Sequence, residues 1–361
     1  MRVLPLTKPA CTLHINHNRH SPALFELPAT RGRHVSPVNV TGPDAQPEAF
    51  ETFLEHTQQQ IIQAAEALDG GSRFEHEAWQ RPTSSPNPGH GVTAVLEGGT
   101  LLEKAAVSTT FVRGTLSAQR ARAMSSRGRS IDQEGGQSYS AAALSLVFHP
   151  FNPHVPTLRA DVRRFEVEGQ AWFGGGADLT PAYLCEADAK DFHTFWHERC
   201  SRHKAGLYEE YKQWCDEYFY LPAWGEHRGV GGIFFDDLPS SESSLDAEQF
   251  VRDVAAGFMP SWQSIAQRGA EKSFTTQQRQ WQLQRRGAYV CFNLLYDRGV
   301  KFGLESGRPP ASGERPTRKK PPGWTVSFPP LVAWSHVAEP EEGTPEAEML
   351  RVLRQPRCWV S

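Results

Sequence analysis

The chain reads as an α+β protein built on a large antiparallel β-sheet. Two observations predict this. Strand-like runs follow one another through short turns, which is the pattern of antiparallel pairing. Helical stretches cluster instead of alternating with the strands, which argues against βαβ winding. The 361 residues are enough to bury a substantial core.

The elements follow in order. After Pro47, Phe50, Phe53, Leu54, Ile61, Ala65 and Leu68 recur at helical spacing, and Gly70-Gly71 closes that helix. Residues 81–91 form a polar, proline-rich loop. Residues 92–96 and 101–111 flank Glu97-Gly98-Gly99-Thr100, a hairpin signal. Residues 114–138 are rich in Ser, Arg and Gly and read as an exposed loop with a short helix. Strands are predicted over 140–148 and 160–167, and at Ala171-Trp172-Phe173. From 186 to 219 the period becomes helical, with Leu207, Tyr208, Tyr211, Trp214, Cys215, Tyr218 and Phe219 on one stripe. Further helices are predicted over 246–267 (interrupted near Pro260), 276–286 and 345–353. Further strands are predicted over 288–296, 300–304 and 324–328. Residues 308–323 hold five prolines and five basic residues, which suit neither strand nor helix and indicate an exposed cationic insertion.

Residues 1–43 differ in composition. They carry Arg2, Lys8, Arg19, Arg31 and Arg33 but only Glu26 as an acid. This is the basic, acid-poor character of an organellar targeting leader, and equally that of a disordered extension. The compartment stays open between an organelle (plastid or mitochondrion) and the cytoplasm.

Net charge is −3, so no global basic field points to nucleic acid. No apolar run approaches the roughly 18 residues of a membrane span. Cys11, Cys185, Cys200, Cys215, Cys291 and Cys358 are scattered, without zinc-like or iron–sulfur spacing. Ten Trp, 20 Phe and 8 Tyr make an aromatic-rich interior, suited to a core or to a large flat ligand.

Chemistry concentrates in a few stretches. Arg228-Gly229-Val230-Gly231-Gly232-Ile233-Phe234-Phe235-Asp236-Asp237 joins glycines, a strand-like run and two adjacent carboxylates. A carboxylate removed from water must be paired or neutralised, so a cation is expected opposite Asp236 and Asp237. The alternative is that one acid caps a turn while the other is solvated. Trp172-Phe173-Gly174-Gly175-Gly176-Ala177-Asp178 matches neither the dinucleotide fingerprint nor a Walker A sequence. Its glycines allow close backbone approach and an anion cradle, while Asp178 serves a turn or a site. His149-Pro150-Phe151-Asn152-Pro153-His154 is rigid and offers proton-transferring imidazoles. His193 and His197 lie four apart on a helix, a spacing that binds metal or, more often, pairs one packed with one solvated residue. Arg285-Arg286 and Asp297-Arg298 bring cations beside a turn.

Together these stretches closely resemble the oxygen-dependent coproporphyrinogen III oxidases. The resemblance runs collinearly from about residue 50 to 361. It includes Leu102-Glu103-Lys104-Ala105-Ala106-Val107, Trp172 onward to Pro181, the glycine run to Asp236-Asp237, and Pro329-Pro330-Leu331-Val332-Ala333-Trp334. It implies one domain over 44–361, a sheet flanked on both faces by α-helices, and a homodimer. It also implies oxidative decarboxylation of two propionates of coproporphyrinogen III, giving protoporphyrinogen IX in haem biosynthesis. Molecular oxygen is then the co-substrate, with neither cofactor nor metal. By resemblance Asp236, Asp237 and His149 are catalytic, and Ser145, Arg163, His193, Arg228, Arg298 and Arg308 bind substrate. The chain departs from the family at Arg159 and Asp161, where a His and an Asn are usual, and at Ala223, Trp224, Ala288 and Cys291. An alternative is therefore a weakened homologue that binds tetrapyrrole or serves as a regulatory dimer partner.

Overall fold

A computed structural model describes residues 49–360 apart from 86, 126–128, 130, 241–243, 301–322 and 336–338. The predicted leader, residues 308–322 of the insertion including Arg308, and most of the 300–304 strand lie outside the described residues.

Helix α1 (Phe50–Asp69) ends at Gly70, whose left-handed φ of 71° lets its N–H bond back to Glu66. Strands β1 (Glu75–Gln80), β2 (Gly89–Glu97) and β3 (Leu102–Thr115) follow, then the short α2 (Ala118–Ser125). Next come β4 (Ser138–Pro150), β5 (Thr157–Val167) and β6 (Gln170–Thr180). Helices α3 (Glu186–Ser201) and α4 (Leu207–Tyr218) lead through the small ribbon β7 (Tyr220–Leu221) and β8 (Glu226–His227) to β9 (Gly231–Pro239). Helices α5 (Ala247–Ala270) and α6 (Thr276–Leu295), a 3-10 helix (Gly323–Ser327) and α7 (Pro345–Arg354) complete the described chain.

The large sheet has seven strands in the order β1-β2-β3-β4-β5-β6-β9. Every neighbouring pair is antiparallel. Because side chains alternate along a strand, the sheet has two distinct faces. On one, Phe148, Leu158, Ala160, Phe173, Ala177 and Phe235 join the main core with residues of α1, α3 and α5. On the other, Ala106 and Val147 meet Tyr289 and Val290 of α6. Towards its far end, Val112, Tyr139, Val167 and Trp172 meet Ala121 and Met124 of α2. Helices thus flank both faces of an antiparallel sheet, as predicted. Helix α4 seals the edge strand β9, with Tyr211 stacked on Phe235 and Tyr218 stacked 4.2 Å from Phe234.

Several local predictions need correction. Residues 288–295 are not a strand: they extend α6, which starts from a Thr275/Gln278 capping box. Gln282, Arg286, Tyr289 and Asn293 fall on its buried face, so helical spacing outweighed the β-prone residues. The predicted strand at 324–328 is the 3-10 helix. The helical stretch over 186–219 breaks into α3 and α4 at Gly206, whose φ is 78°. Pro260 does not interrupt α5. Strand β1 escapes pattern reading because all its residues except Trp79 are exposed.

Candidate active site

Strand β9 pairs with β6, but the register slips between them: Phe173 pairs with Leu238, whereas Gly175 pairs with Phe235. Asp236 and Asp237 therefore stand together opposite the single Gly174. This is a β-bulge, and Asp237 takes the left-handed φ of 55° that it requires. In a regular strand consecutive side chains face opposite sides; here both acids line one cavity of about 490 Å³. That volume suits a medium-sized organic ligand.

The cavity occupies the sheet face between α2 and the end of α6. Its floor includes Gly174 and Gly176, and Leu116, Met124, Phe165 and Trp172 supply apolar lining. Charged lining comes from Arg159, Asp161, Arg163, Asp178, Arg228, Asp236, Asp237, Asp297 and Arg298. The predicted anion cradle does not form at the glycine triplet. Gly174, Gly175 and Gly176 lie within β6, in the ladder with β5. Gly174 makes room instead: a Cβ there would lie 2.7 Å from the Arg163 guanidinium.

The cation expected opposite the acid pair is Arg163. From β5 it reaches over Gly174, placing Nη2 3.0 Å from Asp236 and Nη1 2.6 Å from Asp161. Arg298 approaches the other Asp236 oxygen at 3.3 Å, and Arg129 lies 3.1 Å from Asp237. The Asp237 N–H donates to Asp236 at 3.0 Å. Burial alone would raise the Asp236 carboxyl, but Arg163, Arg298 and that N–H hold it below its ordinary value. Burial would weaken the charge on Arg163, yet Asp161 and Asp236 more than offset this.

A second pair lies deeper. Arg228 donates to Asp178 at 2.6 Å, and both side chains are almost wholly buried. The guanidinium packs over the rings of Phe219 (3.9 Å), Phe292 (4.8 Å) and Tyr289 (5.1 Å). Burial pushes the Asp178 carboxyl above its ordinary value despite Arg228 and Arg159 nearby.

The structure thus gathers Asp236, Asp237, Arg163, Arg228 and Arg298 around one cavity and leaves other predicted residues outside it. His149 is buried, with Nε2–H donating to the Ser327 carbonyl at 3.0 Å. Burial, Arg286 and Lys104 keep its ring neutral, far below its ordinary pKa. His193 is also fully buried. It donates to Val230 O at 3.0 Å and accepts from Tyr208 at 2.8 Å, which occupies both nitrogens and leaves none for a metal. Burial, with Lys212 nearby, lowers its pKa to about 3. Ser145 faces the same side as Asp161, its partner in register, but does not line the cavity. Of the altered positions, Arg159 and Asp161 line the cavity, whereas Ala223, Trp224, Ala288 and Cys291 do not. Sequence reading passed over Arg129, one cation in an arginine-rich loop, and Asp161 as a partner of Arg163. The alternation of Asp161 and Arg163 on one strand is the signal for the latter.

The chain is similar to known proteins over most of its length. A family described as "Coproporphyrinogen III oxidase" matches residues 49–359. The mitochondrial oxygen-dependent coproporphyrinogen-III oxidase of Homo sapiens is 42% identical over 317 residues, covering 86% of this chain and 66% of the human protein. The Drosophila melanogaster oxygen-dependent enzyme is 38% identical over 317 residues, covering 86% of this chain and 77% of the fly protein. The chloroplastic coproporphyrinogen-III oxidase 1 of Arabidopsis thaliana is 37% identical over 321 residues, covering 86% and 78%. The chain spans about two thirds of the human relative's length. It belongs to the coproporphyrinogen III oxidase family.

Proposed function

We propose that this chain catalyses the oxygen-dependent oxidative decarboxylation of coproporphyrinogen III to protoporphyrinogen IX in haem biosynthesis. The observation that carries this reading is the bulge that turns Asp236 and Asp237 into one ligand-sized cavity, in a chain of this family. Each of the two reacting propionates loses its carboxylate as carbon dioxide and, from the carbon attached to the pyrrole ring, one hydrogen with its electron pair, so that the pair of the broken C–C bond forms the double bond of a vinyl group. That hydrogen and its pair pass to dioxygen, which also takes up a proton and leaves as hydrogen peroxide.

The residues act on the macrocycle. Asp236, kept ionised by Arg163 and Arg298, accepts the pyrrole N–H groups and takes the proton whose loss makes the electron-rich ring reactive towards oxygen. Asp237 holds a second N–H from the same side. Arg298, half exposed beside the acids, pairs with a propionate that is not cleaved. Arg163 and Arg228 are committed to Asp236, Asp161 and Asp178, so they orient acids and do not themselves clamp substrate. His149, His193 and Ser145 have no direct part, because they lie outside the cavity.

The chain acts as a homodimer in this reading, for which the resemblance and the exposed Leu331 and Trp334 provide support. Light scattering on the purified chain tests it; a monomer at micromolar concentration would reject it. An organellar location is supported by the basic 1–43 segment and by the mitochondrial and chloroplastic relatives, and a fluorescent fusion reports it. Among the described residues no helix is long and apolar enough to cross a membrane. The activity is tested by adding anaerobically prepared coproporphyrinogen III to the chain and admitting air. Mass spectrometry of the oxidised product should show the loss of two carboxyl groups; unchanged coproporphyrin rejects the activity.

A further inference from the structure

The cavity carries an unbroken line of alternating charge. Arg159 Nη2 lies 3.8 Å from Asp161, Asp161 lies 2.6 Å from Arg163, and Arg163 lies 3.0 Å from Asp236. Arg298 closes the line at 3.3 Å on the far oxygen of Asp236. Arg159 is anchored at one end, its Nη1 donating to the Leu146 and Ala160 carbonyls at 3.0 and 2.7 Å. The guanidinium of Arg163 lies between two carboxylates from different strands, one on each terminal nitrogen.

We infer that Asp161 is a positioning residue that sets the basicity of Asp236 by sharing Arg163 with it, and that Arg159 sets how much of Arg163 Asp161 takes. A guanidinium donating to one carboxylate stabilises that charge more than one divided between two. Asp161 draws Arg163 back towards β5 and adds a negative charge beside Asp236. Both effects leave Asp236 a better proton acceptor than an undivided Arg163 would. Arg159 opposes Asp161 and tempers this. The inference concerns the acid assigned to proton transfer above and rests on that reading only for its catalytic consequence.

The groups surrounding Asp236 come from every neighbouring element. Among the described residues that line the cavity with it, or contact its neighbour, they include Arg159, Asp161 and Arg163 from β5, Asp178 from β6, Tyr218 from α4, Arg228 before β9, Asp297 and Arg298 after α6, Arg120 of α2 and Arg129 after it, and Asp237 beside it. Asp161 and Arg159 act on Asp236 through Arg163, so their substitution separates this device from groups that meet Asp236 directly.

The test is a carboxylate titration in the full chain with ¹³C-labelled aspartate, the Asp236 resonance being assigned by its disappearance in Asp236→Asn. The Asp236 midpoint should fall in Asp161→Asn and rise in Arg159→Gln. The opposite signs are the discriminating feature, since general loosening of the site would move both variants the same way. An unchanged or raised midpoint in Asp161→Asn overturns the inference. If Arg159→Gln does not fold, Asp161→Asn decides alone, because its amide keeps the shape of the carboxyl. The acid limb of kcat against pH should follow the same order. Midpoints that shift while that limb stays fixed uphold the sharing and remove Asp236 from the reaction, so the two readings fail separately.

Discussion

Arg163 meets Asp236 by lying across a strand that has no side chain in its way. It starts on β5, passes over Gly174 of β6 and ends 3.0 Å from a carboxylate on β9. The pairing that holds the proposed base ionised therefore depends on a missing Cβ at the position directly across from Arg163 on the neighbouring strand.

Gly174→Ala tests this dependence. A methyl there would stand 2.7 Å from the guanidinium, which is the mobile end of a long side chain and can swing away. The fold should survive, with a stability loss within about 1 kcal/mol, while kcat falls by roughly tenfold or more as Arg163 leaves Asp236. Steady-state kinetics beside urea unfolding checks both halves. A variant with normal kcat would show that Arg163 needs no free path over β6.

The buried Arg228–Asp178 pair behaves differently. Removing one partner leaves an uncompensated charge in the interior, so Asp178→Ala or Arg228→Met should each cost about 3–5 kcal/mol in urea unfolding. The double variant Asp178→Ala/Arg228→Met should recover part of that loss. Strict additivity would mean that the two groups act independently despite their 2.6 Å contact.

His193 predicts a pH effect on stability. Its folded pKa lies near 3, below that of an unfolded histidine, because burial and Lys212 disfavour the charged ring. The unfolded chain therefore binds the proton first. Stability is intact above about pH 6.5 and declines as pH falls towards 3, with His193 contributing roughly 4 kcal/mol by the lower limit. His193→Gln should destabilise the chain at pH 7.5, since the contacts with Tyr208 and Val230 are weakened. It should also flatten the slope below pH 6.5. An unchanged slope would contradict the buried, neutral state of this ring.

Much of the fold was legible because burial imposes a period. The antiparallel hairpin around Gly98-Gly99, the α1 stripe and the terminal helix all follow from spacing and turn residues. The failures share a cause. Residues 288–295 are rich in strand-favouring side chains, but their register against the sheet, set by tertiary packing, makes them helical. The acid pair signalled a site because two adjacent carboxylates at the end of an apolar run demand cations. What could not be read was which cations. Arg163, Arg298 and Arg129 come from segments 62 to 108 residues away from the acid that each contacts, and the β-bulge that aims both acids leaves no local signature beyond Gly174. His149 and His193 occupy hydrogen-bonded core positions outside the cavity, which a histidine suits as readily as a proton relay, so the sequence alone does not separate the two placements.

The central claim is that Asp236 in this cavity drives the oxidation of coproporphyrinogen III. Its most direct test compares the chain with Asp236→Asn, each given anaerobic coproporphyrinogen III and then air, with oxygen uptake and loss of carboxyl groups followed together. The chain should consume one oxygen for each carbon dioxide released, and Asp236→Asn should bind substrate yet turn over at least about 100-fold more slowly. Equal turnover by both proteins would contradict the claim.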